Sequence, residues 1–257
     1  VDKVREKLAR DEIVMAAGVG RVMHHNLLQI IGIQGGFDCL WFDHEHVGMS
    51  MQDLEVGTLA VRSQGLECFV RIAPTDYAIV TRSMEAGGGG VMAAQIHTAE
   101  QAEEFVRWAK FAPRGYRGLN TGGWDGQFAS IGPKEFCPQA NEKSFVAIQI
   151  ETLTSLEQCD EIAAIDGVDL LFVGPSDLSQ SLGVTGDFFN PKCIEALDRV
   201  GAACKNHGKH WGAVCVSPEH AAAMVERGCR MLSPTADVKM ISAGIDAVKN
   251  QYSTYFG

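Results

Sequence analysis

The sequence predicts a (β/α)8 TIM barrel, and three observations predict it. Eight short apolar runs recur along the 257 residues, each of strand length. Amphipathic segments with helical spacing separate them. The two kinds of segment alternate regularly, on average about 32 residues per unit, which is the βα alternation of a closed parallel barrel. A doubly wound open sheet is the nearest alternative. No Gly-x-Gly-x-x-Gly follows the first run to support a dinucleotide-binding version of it. Residues 1–257 are read as one barrel domain.

The first run is Ile13 to Val19, and the second, Cys39 to Asp43, stays apolar until its closing aspartate. The third, Cys68 to Ala73, carries one cation, Arg71. The fourth, Gly90 to Ala94, leads into Gln95, and an amphipathic helix follows from Thr98 to Lys110. A long connection starts at Ala112, runs through Trp124 to Gly126, and reaches the next strand only at Val146. It leaves from a helix, so it begins at the end of the barrel opposite the strand tips. To matter there, its part around Trp124 must return over the mouth; otherwise it is a packing or subunit-contact loop.

Val146 to Ile150 and Asp169 to Val173 are the fifth and sixth runs, each mostly apolar, as strands buried on both faces are. Leu153, Leu156, Ile162, Ala163 and Ile165 give a helical pattern from Thr152 to Asp166 between them. This is a βαβ unit with parallel neighbouring strands. Helices Lys192 to Asn206 and Glu219 to Arg227 flank the seventh run, Trp211 to Val216, and Met231 to Ser233 is the eighth.

Charge and composition narrow the function. The chain carries 22 Lys+Arg against 32 Asp+Glu, a formal net charge of −10, which disfavours nucleic acid and anionic membranes as partners. No apolar run reaches the ~18 residues of a membrane span, and no signal peptide is visible at Val1. The eight cysteines never form Cys-x-x-Cys, so they are read as reduced thiols of a cytoplasmic protein rather than a disulfide or zinc framework.

Polar residues gather at the strand ends: Asp43-His-Glu-His46, Arg71, Gln95, Glu151, Asp177, Ser217 and Thr235. In barrels, catalytic residues come from several strand ends on one rim. Glu151 and Asp177 follow adjacent strands, and a tight Gly174-Pro175 turn precedes the second. Each alone reads equally well as a helix N-cap. Paired, they suit a hard divalent cation such as Mg²⁺. His44 and His46, two apart, are an alternative zinc pair, or one of them packs on a neighbouring strand. Arg71 is either a structural ion-pair partner or a fork for a substrate carboxylate. His24 and His25 open a helix and receive no role.

The stretches Phe37-Asp-Cys-Leu-Trp-Phe-Asp-His-Glu-His46, Val70-Arg71, Phe111-Ala-Pro-Arg-Gly-Tyr-Arg-Gly118, Gln149-Ile-Glu151 and Phe172-Val-Gly-Pro-Ser-Asp-Leu-Ser179 occur in this order. From about Ala16 onward the chain resembles the class II, metal-dependent pyruvate aldolases of the HpcH/HpaI aldolase and citrate lyase superfamily. These include 2,4-dihydroxyhept-2-ene-1,7-dioate and 2-dehydro-3-deoxy-sugar-acid aldolases. The resemblance implies a barrel of the phosphoenolpyruvate/pyruvate type, hexameric, with sites near subunit contacts. It implies that Glu151 and Asp177 ligate Mg²⁺, Mn²⁺ or Co²⁺ and that the 2-oxo acid chelates this metal. Arg71 and Gln149 match residues that hold the substrate and flank the metal, with Ser176 nearby in the same motif. Asp43 matches an outer-shell acid. His46 matches the base, with Glu85 as its acidic partner.

The implied reaction cleaves a 4-hydroxy-2-oxo acid reversibly to pyruvate and an aldehyde through an enolate. Alternatives on the same site are oxaloacetate decarboxylation and an acyl-coenzyme A lyase, although no phosphate loop or basic cluster for a nucleotide is visible. A catalytically silent subunit would be expected to lack the combination of Glu151, Asp177, Arg71 and His46. Two places depart from the pattern. Relatives carry a Val-Pro-Met type sequence where this chain has Ala93-Ala-Gln95, and Asn120 to Gly126 also differs. Both bear on the aldehyde side.

Overall fold

The computed structural model describes residues 1–256. Eight parallel strands close into a barrel in chain order. They are β1 Val14–Val19, β2 Cys39–Asp43, β3 Glu67–Ile72, β4 Gly90–Ala93, β5 Phe145–Ile150, β6 Leu170–Val173, β7 His210–Val214 and β8 Cys229–Ala236. β8 pairs with β1, so no sheet edge is left open.

Two-residue periodicity sorts the strand side chains. Cys39, Trp41, Phe69, Phe145, Ala147, Leu170, Phe172 and Met231 point inward and pack with one another. The intervening residues, among them Leu40, Phe42, Val70, Val146, Ile148, Leu171 and Val173, face out and pack in the layer shared with the helices. This two-sided burial is why the strands read as continuous apolar runs.

The helix Asp2–Ala9, which the sequence reading left unassigned, closes the end from which the strands start. Its buried Val4 and Leu8, four residues apart, join the inner cluster. The Val4 amide donates to Glu67 Oε2 at 2.9 Å, and the Arg5 guanidinium pairs with Asp169 at 3.0 Å.

Two expectations are corrected. The single helix expected over Thr152 to Asp166 is two, Leu153–Glu157 and Cys159–Ala164. The break falls where Arg199 Nη2 donates to the Glu157 carbonyl at 2.6 Å, and Gln158 turns its side chain to accept from the Ala99 amide at 2.9 Å. The long connection also holds an unforeseen helix, Pro133–Lys143. Its Trp124 segment does not return over the mouth. The Trp124 amide donates to the Glu85 carbonyl at 2.8 Å, and Arg62 lies over the indole, 3.9 Å from the ring centre. Glu85 ends the helix Tyr77–Glu85 just before β4 begins, which places this segment at the end opposite the strand tips.

No described helix is long and apolar enough to cross a membrane. All eight cysteines are free thiols, and seven are buried. Burial pushes the Cys68 thiol up to about 11 and Cys204 to about 12, so these sulfurs are inert packing groups.

Candidate active site

The inward positions that are apolar at the barrel's middle turn polar at its carboxyl rim. After Trp41 comes Asp43, after Phe69 comes Arg71, and after Ala147 come Gln149 and then Glu151. The same alternation that fills the core therefore aims these groups at one point. Trp41 is their floor. Its Nε1 donates to Ser233 Oγ at 2.9 Å, and the Arg71 guanidinium stacks over its ring at 4.8 Å.

Arg71 and Asp43 are register partners on β3 and β2. Arg71 Nη2 lies 2.7 Å from Asp43 Oδ2, its Nε donates to Oδ1 at 3.3 Å, and Nη1 lies 3.4 Å from Glu45 Oε2. Asp43 Oδ1 also accepts from the amides of Glu45 and His46, both at 3.1 Å, which folds the loop after β2 back on itself. Burial pushes the Asp43 carboxyl up, but Arg71 and these amides outweigh it and hold it below its ordinary value. Arg71 is 8% exposed, so its fork is fixed before any substrate arrives.

Glu151 stands one residue beyond β5 and is 1% exposed. It is not a helix cap: Thr152 caps the next helix. Glu151 Oε1 accepts from the Gln95 amide at 2.8 Å and from Gln95 Nε2 at 3.2 Å. Oε2 accepts from Gln149 Nε2 at 2.5 Å. Burial, with the charges of Glu45 and Asp177 adding to it against the Gln95 amide, pushes the carboxyl up to about 7. Asp177 lies in the first turn of the helix Pro175–Ser181, where Gly174 is the N-cap and no side chain caps. Both cap readings therefore fall, and Asp177 lies close enough for its charge to raise the Glu151 carboxyl.

The residues fit a hard cation. Gln149 Oε1 is buried without a hydrogen-bond partner, and a carbonyl oxygen beside two carboxylates is the donor type that Mg²⁺ or Mn²⁺ takes. Gly174 keeps the cradle open, because a Cβ there would lie 2.4 Å from Glu151 Oε2 and 2.7 Å from Gln149 Nε2. Gly174→Ala is expected to lower Mn²⁺ affinity about tenfold or more with the fold retained, since disturbing outer partners costs about 10–100-fold. Titration followed by the Mn²⁺ paramagnetic signal checks it; unchanged affinity would place the cation elsewhere.

A family model described as HpcH/HpaI aldolase/citrate lyase matches residues 22–243. The chain belongs to the HpcH/HpaI aldolase/citrate lyase family. It is 33% identical over 206 residues to a 2-dehydro-3,6-dideoxy-6-sulfogluconate aldolase of Pseudomonas putida, covering 80% of each chain. It is 34% identical over 215 residues to a 4-hydroxy-4-methyl-2-oxoglutarate aldolase of Hapsidospora irregularis, covering 80% of this chain and 77% of that one. A solved HpcH/HpaI aldolase/citrate lyase family protein from Burkholderia cenocepacia superposes with a TM-score of 0.89 at 28% identity, over 97% of this chain and 99% of that one.

In this HpcH/HpaI family chain, Asp43, Arg71, Gln149, Glu151 and Asp177 come together at the rim. Ser176 is exposed beside them. His46 stands at the mouth, its side chain 57% exposed and Nε2 3.6 Å from Glu45 Oε2. Glu85 is not beside it. The single chain puts Glu85 at the opposite end of the barrel, against Gly123 and Trp124. The expected pairing of Glu85 with His46 is thus corrected within one chain: a helix that returns alongside its strand ends at the strand's start. Ser217, another rim candidate, is an N-cap whose Oγ accepts from the His220 amide at 3.2 Å. Among the described residues no group of three His, Cys, Asp or Glu is placed to hold a metal, so the zinc reading of His44 and His46 finds no further ligand.

Sequence reasoning placed Glu45 and Gln95 at the strand ends but gave neither a role. Glu45 follows Asp43 by two, the same period as Cys39, Trp41 and Asp43, and that was its available signal. For Gln95 the position past the fourth strand was legible but its contact with Glu151 was not, because that depends on a backbone turn.

Proposed function

We propose that the protein is a class II aldolase that reversibly cleaves a 4-hydroxy-2-oxo acid to pyruvate and an aldehyde. One observation carries this reading: a buried arginine fork, held by Asp43 and Glu45, shares a rim with the adjacent carboxylates Glu151 and Asp177. The relatives named above are aldolases, which supports it. Glu151 and Asp177 are the ligands for Mg²⁺, Mn²⁺ or Co²⁺, with Gln149 beside them. Such a cation, when bound, supplies Lewis-acid stabilisation of negative charge on the substrate's 2-oxo oxygen. Arg71 donates to the same developing charge and to the substrate carboxylate. Trp41 and the strand tips exclude water from below. His46 takes the proton from the 4-hydroxyl in cleavage and returns it in condensation, a contribution of about 10²–10⁴-fold.

Incubation with pyruvate and Mn²⁺ in heavy water tests the reading. Methyl proton loss that needs both protein and metal is expected. No exchange, and no pyruvate release from any 4-hydroxy-2-oxo acid, would sink it. Exchange without aldol cleavage would move the reading to oxaloacetate decarboxylation.

The protein acts as a cytoplasmic homo-oligomer, a hexamer by resemblance. Glu85 orients His46 of a second copy, because one chain holds them at opposite ends. Exposed Val238, Ile241, Ile245 and Val248, spaced by three and four along the helix Asp237–Gln251, support self-association. His46→Ala and Glu85→Ala are each expected to lose at least tenfold in aldol cleavage. Mixed and reassembled, the two are expected to recover activity, since some sites then join an intact His46 to an intact Glu85. No recovery on subunit exchange would place the dyad elsewhere.

A further inference from the structure

We infer that Gln95 is a positioning residue for the cation site, fixing Glu151 from the mouth side through two donors on one oxygen. The inference rests on the assignment of Glu151 as a ligand. β4 ends at Ala93, and the Ala94 amide still donates to the Ile72 carbonyl at 2.9 Å. The chain then turns at Gln95, which has φ of +51°. That left-handed conformation is uncommon outside glycine, asparagine and aspartate, and non-glycine residues held in it cluster at ligand sites. Here the turn has a definite result. It aims the Gln95 amide at Glu151 Oε1, 2.8 Å away, and lays Nε2 of the same residue 3.2 Å from the same oxygen.

Glu151 is thereby gripped from both sides. Gln95 holds Oε1 and Gln149 holds Oε2. Each carboxylate oxygen accepts through several lone-pair directions, so this grip fixes the carboxylate plane and leaves room for a cation. Partners that fix a ligating carboxylate in this way raise metal affinity by limiting its alternative orientations. The side chain of Gln95 is solvent-exposed, so core packing does not require a glutamine here. The chemistry does: the methionine that a Val-Pro-Met sequence would place at this position has no donor to offer.

Mn²⁺ binding to the substrate-free protein is the test, followed by the paramagnetic signal of free Mn²⁺. Gln95→Met keeps the length and removes the side-chain donor. Gln95→Gly removes the same donor, keeps the backbone amide and adopts the turn without strain. Both are expected to raise the Mn²⁺ Kd about tenfold, with the metal-free melting temperature within a few degrees of the parent. At saturating Mn²⁺, kcat is expected within a few-fold of the parent, because Gln95 touches no reacting atom. A Kd within twofold of the parent in either folded variant overturns the role. A parent protein that shows no saturable Mn²⁺ binding, or binding that survives Glu151→Gln, overturns the metal assignment itself, and the inference with it.

Discussion

Glu151→Gln is expected to abolish saturable Mn²⁺ binding and to lower metal-dependent pyruvate enolisation by about 10³-fold or more. The change removes one of two anionic ligands and replaces an acceptor with an amide that must point a donor at Gln95 or Gln149. Charge stabilisation by a bound cation is worth several kcal/mol, and each 1.4 kcal/mol or so is tenfold in rate. The parent protein makes a linked pH prediction. The Glu151 carboxyl titrates at about 7, above its ordinary 4.5, because burial penalises the charge. The folded metal-free state therefore holds this proton more tightly than the unfolded chain does. Its contribution to stability is fully present below 4.5 and is lost as pH rises through about 7. A cation needs the carboxylate, so Mn²⁺ affinity is expected to fall about tenfold per pH unit below that point and to level above it. Calorimetric titration from pH 5 to 8 checks the slope. An affinity flat across that range, or a glutamine variant that still binds, would show that Glu151 is not a ligand.

Arg71→Lys is expected to cost about 10²–10³-fold in kcat/KM, the price of one preorganised donor to a developing oxyanion. Lysine keeps the positive charge near Asp43 and Glu45, so the fold survives. Arg71→Ala would strand both carboxylates and confuse the readout with a stability loss of about 3 kcal/mol. What lysine cannot do is present the planar fork that now engages Asp43 at 2.7 Å and Glu45 at 3.4 Å. The loss should fall mainly on kcat, because negative charge on the substrate oxygen grows toward the transition state. Mn²⁺ affinity should stay within a few-fold of the parent. A lysine variant with parental kinetics would reduce Arg71 to a structural ion pair.

Local pattern determined the scaffold of this protein and most of one rim. Strand interiors announce themselves as apolar runs because both faces are buried, and a period of two is enough to send Asp43, Arg71, Gln149 and Glu151 to the same side. The pairing of carboxylates past the ends of neighbouring strands was legible for the same reason, and four of the five family motifs lay along these tips. Other features depend on contacts between segments distant in sequence, which no local pattern encodes. The helix break after Glu157 is met by the Arg199 guanidinium, 42 residues away. Gln95 reaches Glu151 across 56 residues through a backbone turn that side-chain periodicity does not describe. The family resemblance pairs Glu85 with His46, yet one chain holds them at opposite ends. Sequence thus chose which groups face the barrel axis. Only the tertiary structure decided how each is held, because a hydrogen bond's direction depends on where a second segment lies.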